Sequence, residues 1–359
     1  MSKILISGEW LYGHYQEACS IALENLSHKV IRYGWYDHFF DTRPGKEPQF
    51  RSRIAQLQNK YLVGPLLNKI NNDFVILAVD TKPEIIWSYN DTHIFPHTIL
   101  SLKRYLPKTI FAQYANDNPW MRDYRRIIFR HFRKSIHLFD INFYYRLSNE
   151  VDFKSAGAKR TALLRSYYIP EETYPIEKEK IEDEFRSDVV FVGHFENDGR
   201  LNLLADAAKS GANLKLFGTG WEKPISILPD DDPLKRLLPI KPARGQQYIK
   251  AICGSKIALS FLSKLNKDTY TRRNFEIPAM RAFMLSEYTD DLNSLFSEGK
   301  EAEYFRTKDE LVEKIKYYLD HEDEIAGIAQ AGYERVQRDG HDVTSRMKQF
   351  IQEIEKVRK

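Results

Sequence analysis

Short apolar strand segments alternate with helical patterns along almost the whole chain, and this alternation restricts the fold more than any single residue does. Lys3 to Ser7 is an apolar run that stops at Gly8, a helix spans 15–26, and Lys29 to Tyr33 is the next strand, which completes one βαβ unit. The pattern continues with a helix at 66–79 broken before Pro83, strands at 84–89 and 108–114, and helices at 96–105 and 120–134. Strands at 138–144 and 160–166 close this half, separated by a short helix that Ser148 caps and Gly157 stops. Parallel neighbours need a crossover between them, so the series predicts parallel sheets covered on both faces.

Residues 169–186 hold two prolines and seven acidic residues with little apolar periodicity, the composition of a linker. From Ser187 the alternation restarts, with strands at 187–193, 213–217, 256–262 and 282–287 and helices at 199–209, 246–253 and 307–319. At 359 residues and 42% apolar content the chain is too long for one comfortable core. The expected fold class is α/β, with two Rossmann-like doubly wound domains facing a cleft: residues 1–170, residues 187–338, and a C-terminal helical segment at 339–359. A formal charge of +4 is well below what a dedicated nucleic-acid binder carries. Cys19 and Cys253 lie far apart on helical patterns, which supports neither a disulfide framework nor a zinc site. No stretch has the length of a membrane span, and the amino terminus enters a strand at once, so a cytoplasmic protein is expected.

Ligands of open α/β sheets bind beyond the carboxyl ends of the strands, so those ends hold the candidate residues. Gly193 ends the first strand of the second half and would let backbone approach a phosphate at the following helix, although an ordinary strand-end turn is the competing reading. Asn266 to Ala279 is the richest stretch. With Thr271 as a helix cap, Arg273 and Glu276 lie on one face, about 5 Å apart along the axis. That is close to the span from a ribose to its diphosphate. A guanidinium supplies charge and several donors to phosphate oxygens, and a carboxylate accepts from both ribose hydroxyls. The alternative is a surface helix with an i,i+3 ion pair. Lys264, just past the strand, could neutralise a diphosphate with Arg273, with a solvated loop as the alternative. Pro278 inside the helix predicts a kink.

From Asn266 to about Arg338 the chain resembles the spore-maturation-type glycosyltransferases, a group with the GT-B fold. It carries the group's Thr-x-Arg-x-Phe-Glu-Ile-Pro-Ala core as Thr271 to Ala279, an apolar strand ending at Glu287-Tyr288-Thr289, and the acidic turn around Phe296, Gly299 and Lys300. Lys267 stands where Arg is usual and Arg281 where a small residue is usual. The resemblance implies a nucleotide diphosphate sugar as donor substrate, with no tightly bound cofactor and no essential metal. Phe217-Gly218-Thr219-Gly220-Trp221 is similar to the group's Phe-Gly-x-Gly-Trp loop, which makes Gly218 a donor-site position. Lys241, in Pro239-Ile240-Lys241-Pro242, falls where the nucleobase is read by main-chain contacts. Asp268 precedes Glu276 by eight positions, the separation of paired acids in many retaining members of the fold, where the first is usually Glu. Retention of anomeric configuration and a last helix that crosses back to the first domain are further implications.

The first half is expected to serve the acceptor. Asp117, after the strand at 108–114 and beside a proline-fixed turn, is the preferred group for steering or deprotonating a hydroxyl, an Asx turn or helix cap being the alternative. Asp91, His14 and Glu9 also follow strands and face the same way. The 120–134 segment sets Arg122, Arg125, Arg126, Arg130, Arg133 and Lys134 against Asp123, with apolar residues among them. Such a helix could rest peripherally on anionic membrane headgroups or hold a lipid-linked acceptor, and it could equally cover the sheet with a solvated cationic side. The expected function is transfer of a hexose-type sugar to a glycan or lipid-linked hydroxyl acceptor, with Arg273, Lys264 and Asp117 as the catalytic groups and no nucleic acid as partner. The rivals are a sugar-nucleotide epimerase of the same fold and a non-catalytic surface or coat assembly protein.

Overall fold

A computed structural model describes residues 1–41, 49–121 and 123–358. The chain divides into two compact units, Met1–Arg165 with Val343–Lys359, and Ser166–Asp342. The strands of the first unit are β1 (Lys3–Gly8), β2 (Lys29–Gly34), β3 (Phe40–Asp41), β4 (Gln49–Phe50), β5 (Ile85–Tyr89), β6 (Ile110–Ala115), β7 (Ile141–Tyr144) and β8 (Thr161–Leu163). Six of them form a parallel sheet in the order β2-β1-β5-β6-β7-β8, and β3 pairs antiparallel with β4. Ile4, Leu5, Ile6, Ile86, Trp87 and Phe111 are wholly buried, as expected of strands covered on both faces. The terminal helix Val343–Arg358 closes this core. Its Phe350 stacks on Trp87 with ring centroids 4.2 Å apart and tilts against Phe143 at 5.0 Å, while Gln349 Nε2 donates to the Leu163 carbonyl at 2.9 Å.

The second unit has β9 (Ser187–Val192), β10 (Leu214–Phe217), β11 (Ser255–Ser260), β12 (Met284–Glu287) and β13 (Glu303–Phe305). They form one parallel sheet in the order β10-β9-β11-β12-β13. Each sheet reverses its winding once, between β1 and β5 in the first unit and between β9 and β11 in the second. At such a switch point neighbouring connections leave in opposite directions and open a crevice at the carboxyl ends of the strands.

Several sequence expectations need correction. The 169–186 stretch is not a free linker, because Ile181 and Phe185 are buried in the second unit, Lys215 Nζ donates to the carbonyls of Asp183 and Glu184 at 2.8 and 2.6 Å, and Lys250 pairs with Glu182 at 2.6 Å. The helices Arg53–Tyr61, Asp290–Leu295 and Glu322–Arg338 and the strand β13 were not anticipated. In β13 a buried Glu303 sits where an apolar residue is expected, compensated by Lys314 at 2.9 Å and by the Tyr318 hydroxyl. The apolar stripe of Glu322–Arg338 is diluted by Ala329 and Gly332, and a β-carbon on Gly332 would stand 2.4 Å from the Glu301 carbonyl oxygen, so close packing demands the small residue.

The expected helix at 120–134 is two short helices, Arg125–Ile128 and Arg130–Ser135, broken at Phe129, and Arg122 lies outside the described residues. Its cations are largely occupied. Arg125 is buried and chelates Asp123 through Nε at 3.0 and 2.9 Å, Arg130 Nη2 donates to the Leu62 carbonyl at 2.6 Å, and Arg133 donates to the carbonyls of Pro119 and Arg126 at 2.5 and 2.6 Å. Among the described residues no helix is long and apolar enough to cross a membrane.

Candidate functional site

The carboxyl ends of β9, β10 and β11 bring together most of the expected donor residues. Gly193 N–H donates to the Phe217 carbonyl at 2.8 Å, Gly193 O accepts from Trp221 Nε1 at 2.7 Å, and Gly218 N–H donates to the Lys241 carbonyl at 3.0 Å. Three loops are thereby tied main chain to main chain. Gly218 has φ +151°, and a β-carbon there would lie 1.8 Å from Gly193 O, so only glycine permits the approach. A β-carbon on Gly193 would stand 3.0 Å from a guanidinium nitrogen of Arg273, which also lies 5.9 Å from the Phe191 ring centroid. Gly193, Gly218 and Arg273 therefore share one site, and Lys241 joins it through its carbonyl while its side chain stays exposed.

Arg273 opens the helix Arg273–Ala279, in which Asn274 to Ala279 are buried. Asn274 Nδ2 donates to Ser260 Oγ at 3.1 Å and Ser286 Oγ at 3.2 Å, pinning the helix to the ends of β11 and β12. The expected Thr271 cap is not made. The roles are reversed, with Asn274 Oδ1 accepting from Thr271 N–H at 2.7 Å. Pro278 falls in the last turn and the helix stops one residue later, so no kinked continuation follows.

Glu276 is 9% exposed, and its partners differ from the expected ones. Oε1 pairs with Arg272, four residues back, and Oε2 accepts from the Tyr248 hydroxyl at 2.8 Å. Burial opposes its ionisation, but the Arg272 charge and hydrogen bond, the Tyr248 hydroxyl and the Arg273 charge outweigh that and hold the carboxyl below its usual range. Tyr248, pushed well above the ordinary phenol value by burial and by Glu276, keeps its proton and donates. Arg272 and Tyr248 are the residues the sequence reading missed. Arg272 was visible as a second cation in the motif, whereas nothing local marked Tyr248.

Lys264 is exposed, with Nζ 3.7 Å from Glu287 Oε1. Burial raises the Glu287 carboxyl although it accepts the Leu262 N–H at 2.7 Å. Asp268 lies in the loop after β11, where its N–H donates to the Ser263 carbonyl at 2.9 Å.

In the first unit, Glu9 follows β1 and Asp117 follows β6. Burial, and then the negative charge of Asp117, push the Glu9 carboxyl up to about 6. The local Asx turn belongs to Asn118, whose Oδ1 accepts Trp120 N–H at 3.1 Å. His14 stacks on Tyr12 at 5.7 Å and meets Tyr15 edge-on at 4.3 Å. Asp91 is 2% exposed, its carboxylate receiving the Ser7 hydroxyl and, at 3.3 Å, the His93 N–H. That placement does not fit direct acceptor contact, because the carboxylate is engaged in holding the loop after β5. A separate cavity of about 600 Å³, lined by Lys108, Asp140, Arg160 and Arg358 among others, lies at the amino ends of β6 to β8, away from these strand ends.

Residues 200–352 match the family described as Glycosyl transferase-like. No curated protein matches the chain. Sucrose-phosphate synthase from Thermosynechococcus elongatus is similar in structure with a TM-score of 0.69 at 12% identity, covering 99% of both chains. HepE from Anabaena in complex with UDP-glucose gives 0.68 at 13% identity over 99% of this chain and 100% of that one. A glycosyltransferase from Rickettsia africae ESF-5 gives 0.67 at 11% identity over 100% and 99%. The chain thus has the GT-B fold of two Rossmann-like α/β domains.

Proposed function

We propose that this protein is a glycosyltransferase that moves a sugar from a nucleotide diphosphate sugar to a hydroxyl acceptor. One observation carries the reading: the Gly193 and Gly218 backbones meet beside the Arg273 guanidinium at the switch point of the second sheet. Bare backbone and a fixed cation in that position suit a diphosphate. The match of residues 200–352 to a glycosyl transferase-like family and the UDP-glucose complex of HepE support the donor class.

In this scheme Arg273, together with Lys264, stabilises the charge that develops on the departing diphosphate, and no metal is required. Glu276, held ionised by Arg272 and Tyr248, has acceptor capacity left for ribose hydroxyls. Lys241 lends its main chain to the nucleobase, and transfer retains anomeric configuration. Asp117, with Glu9 beside it, steers the acceptor hydroxyl of a glycan or lipid-linked substrate, and His14 belongs to the same side. Any peripheral membrane contact falls to Arg126 and Lys134 with the exposed Tyr124 and Ile127.

A thermal-shift panel of nucleoside diphosphates followed by their sugar derivatives tests the donor class, and stabilisation by one nucleotide series is expected. Product analysis with and without acceptor tests the reaction. A new nucleotide sugar formed without acceptor would instead identify an epimerase, and the absence of any nucleotide effect would reject the proposal.

A further inference from the structure

The helix Arg53–Tyr61 of the first unit is built inside out. Its inner side carries the buried Ala55 and two amides: Gln58 Oε1 accepts the Leu66 N–H at 2.8 Å, and Asn59 Oδ1 meets Nε2 of the buried His93 at 2.8 Å. Ile54, Leu57 and Tyr61 recur at i, i+3 and i+7 on the outer side, where they are 68%, 54% and 46% exposed, and Val63 just beyond the helix is exposed as well. Burial of apolar surface would turn such a helix the other way. The inward amides hold it in this orientation, with its apolar stripe in the open.

The short helix Arg125–Ile128 packs beside it and adds the exposed Tyr124 and Ile127 to the same apolar face. Leu62, which ends the first helix, ties the two segments, because its carbonyl accepts from Arg130 Nη2 at 2.6 Å. Residues 49–72 and 124–138 contain no Asp or Glu. Arg53, Lys60 and Arg126 stand exposed on these helices, with Lys60 Nζ 5.2 Å from the Tyr61 ring centroid. The adjoining acid, Asp123, is already chelated by Arg125. An exposed apolar cluster set among unopposed cations marks a surface with a partner.

We propose that this face docks on an anionic lipid bilayer, with the helix Arg53–Tyr61 lying in the headgroup plane as the anchor. Ile54, Leu57, Val63 and Ile127 enter the acyl boundary to a depth of about 5–10 Å, the rings of Tyr61 and Tyr124 sit at headgroup level, and Arg53, Lys60 and Arg126 meet lipid phosphates. The contact thus centres on the inverted helix and not on the basic 120–134 segment, most of whose cations are occupied by carbonyls. Charge selects this occupant over a second copy of the chain, since a two-fold contact would set the same acid-free surface against itself. Protruding side chains on convex helix faces also need a medium that closes around them, and a fluid interface does so without complementary shape. The inference concerns lipid alone and stands whether or not the second unit binds a nucleotide.

The test is co-sedimentation of the full chain with vesicles of phosphatidylcholine alone and of equimolar phosphatidylcholine and phosphatidylglycerol. Binding is expected only to the anionic vesicles and should weaken as salt rises. Ile54→Ser combined with Leu57→Ser should lower the partition coefficient about tenfold or more. Lys60→Glu combined with Arg126→Glu should lower it several-fold. Both pairs should leave the melting temperature unchanged, because all four side chains are exposed. Leu57→Cys carrying an environment-sensitive dye should shift its emission to the blue when vesicles are added, and the native Cys19 and Cys253 are buried and do not compete for the label. Failure of wild type to bind the anionic vesicles, equal binding by wild type and the Ile54→Ser/Leu57→Ser protein, equal binding to both vesicle types, or an unshifted dye in vesicle-bound protein would each overturn the inference. A dimer seen by sedimentation velocity without lipid, and dissolved by Ile54→Ser with Leu57→Ser, would overturn it in favour of a second copy.

Discussion

Replacing Gly218 by alanine drives a methyl carbon into the Gly193 carbonyl. The new atom would start 1.8 Å from Gly193 O and needs at least 3.0 Å, so the two loops must separate by about 1.2 Å. Gly193 cannot simply retreat, since its oxygen holds the buried Trp221 indole at 2.7 Å and its N–H holds Phe217 at 2.8 Å. Losing one such buried hydrogen bond costs about 1–3 kcal/mol. Alanine at φ +151° costs about 1–3 kcal/mol more. The second unit is then destabilised by about 2–6 kcal/mol, and its melting temperature should fall by about 4 °C or more. Gly211→Ala is the matched control, because φ is +91° there but no atom lies within 4 Å of the added carbon, leaving only a strain of about 1–2 kcal/mol. Differential scanning calorimetry of the two variants isolates the collision, and nucleoside diphosphate titration reads its effect on the site. Equal melting of the two variants would refute the packing argument. A destabilised Gly218→Ala that binds the nucleotide normally would show that the contact is architectural and not part of the ligand site.

Three other perturbations follow from the same geometry. Arg272→Met leaves the buried Glu276 without its ion-pair partner and should cost about 3–5 kcal/mol in urea unfolding of the second unit, whereas Tyr248→Phe should chiefly weaken nucleotide affinity; an unaltered urea midpoint in Arg272→Met would contradict the pairing. Arg273→Ala should lower kcat about 10²–10³-fold with donor saturating, and a near-normal rate would reject its role at the diphosphate. Glu9 binds its proton more tightly folded, at about 6, than at its ordinary 4.5, so stability should fall as pH rises from 4.5 through 6, by up to about 2 kcal/mol. Glu9→Gln should remove that loss and stabilise the first unit at pH 8 but not at pH 4, and a pH-independent difference between the two proteins would count against the burial argument.

The element order was readable because each strand and helix advertises its own period, and fully buried parallel strands such as Ile4 to Ile6 leave little ambiguity. Misreadings arose where charge was compensated at a distance. Glu303 concealed β13 because Lys314 and Tyr318 neutralise it from another element, and the cations at 120–134 imitated one amphipathic helix while in fact binding carbonyls of neighbouring loops. In the candidate site, the glycines and Arg273 stood out in the sequence by residue type and position at the strand ends. The engagement of Asp91 with Ser7 did not, because burial of a carboxylate leaves no local mark.

The amino-acid order by itself determined two series of parallel α/β units and the short stretch around Arg273 and Glu276, since periodicity and motif are properties of neighbours along the chain. That Tyr248 reaches Glu276 from 28 residues away, and that Glu196 accepts from the Ser263 hydroxyl across 67 residues once β9 lies beside β11, were decided only by the tertiary structure. Hydrogen bonds and ion pairs form between groups that folding brings within about 3 Å, and separation in sequence says nothing of that distance.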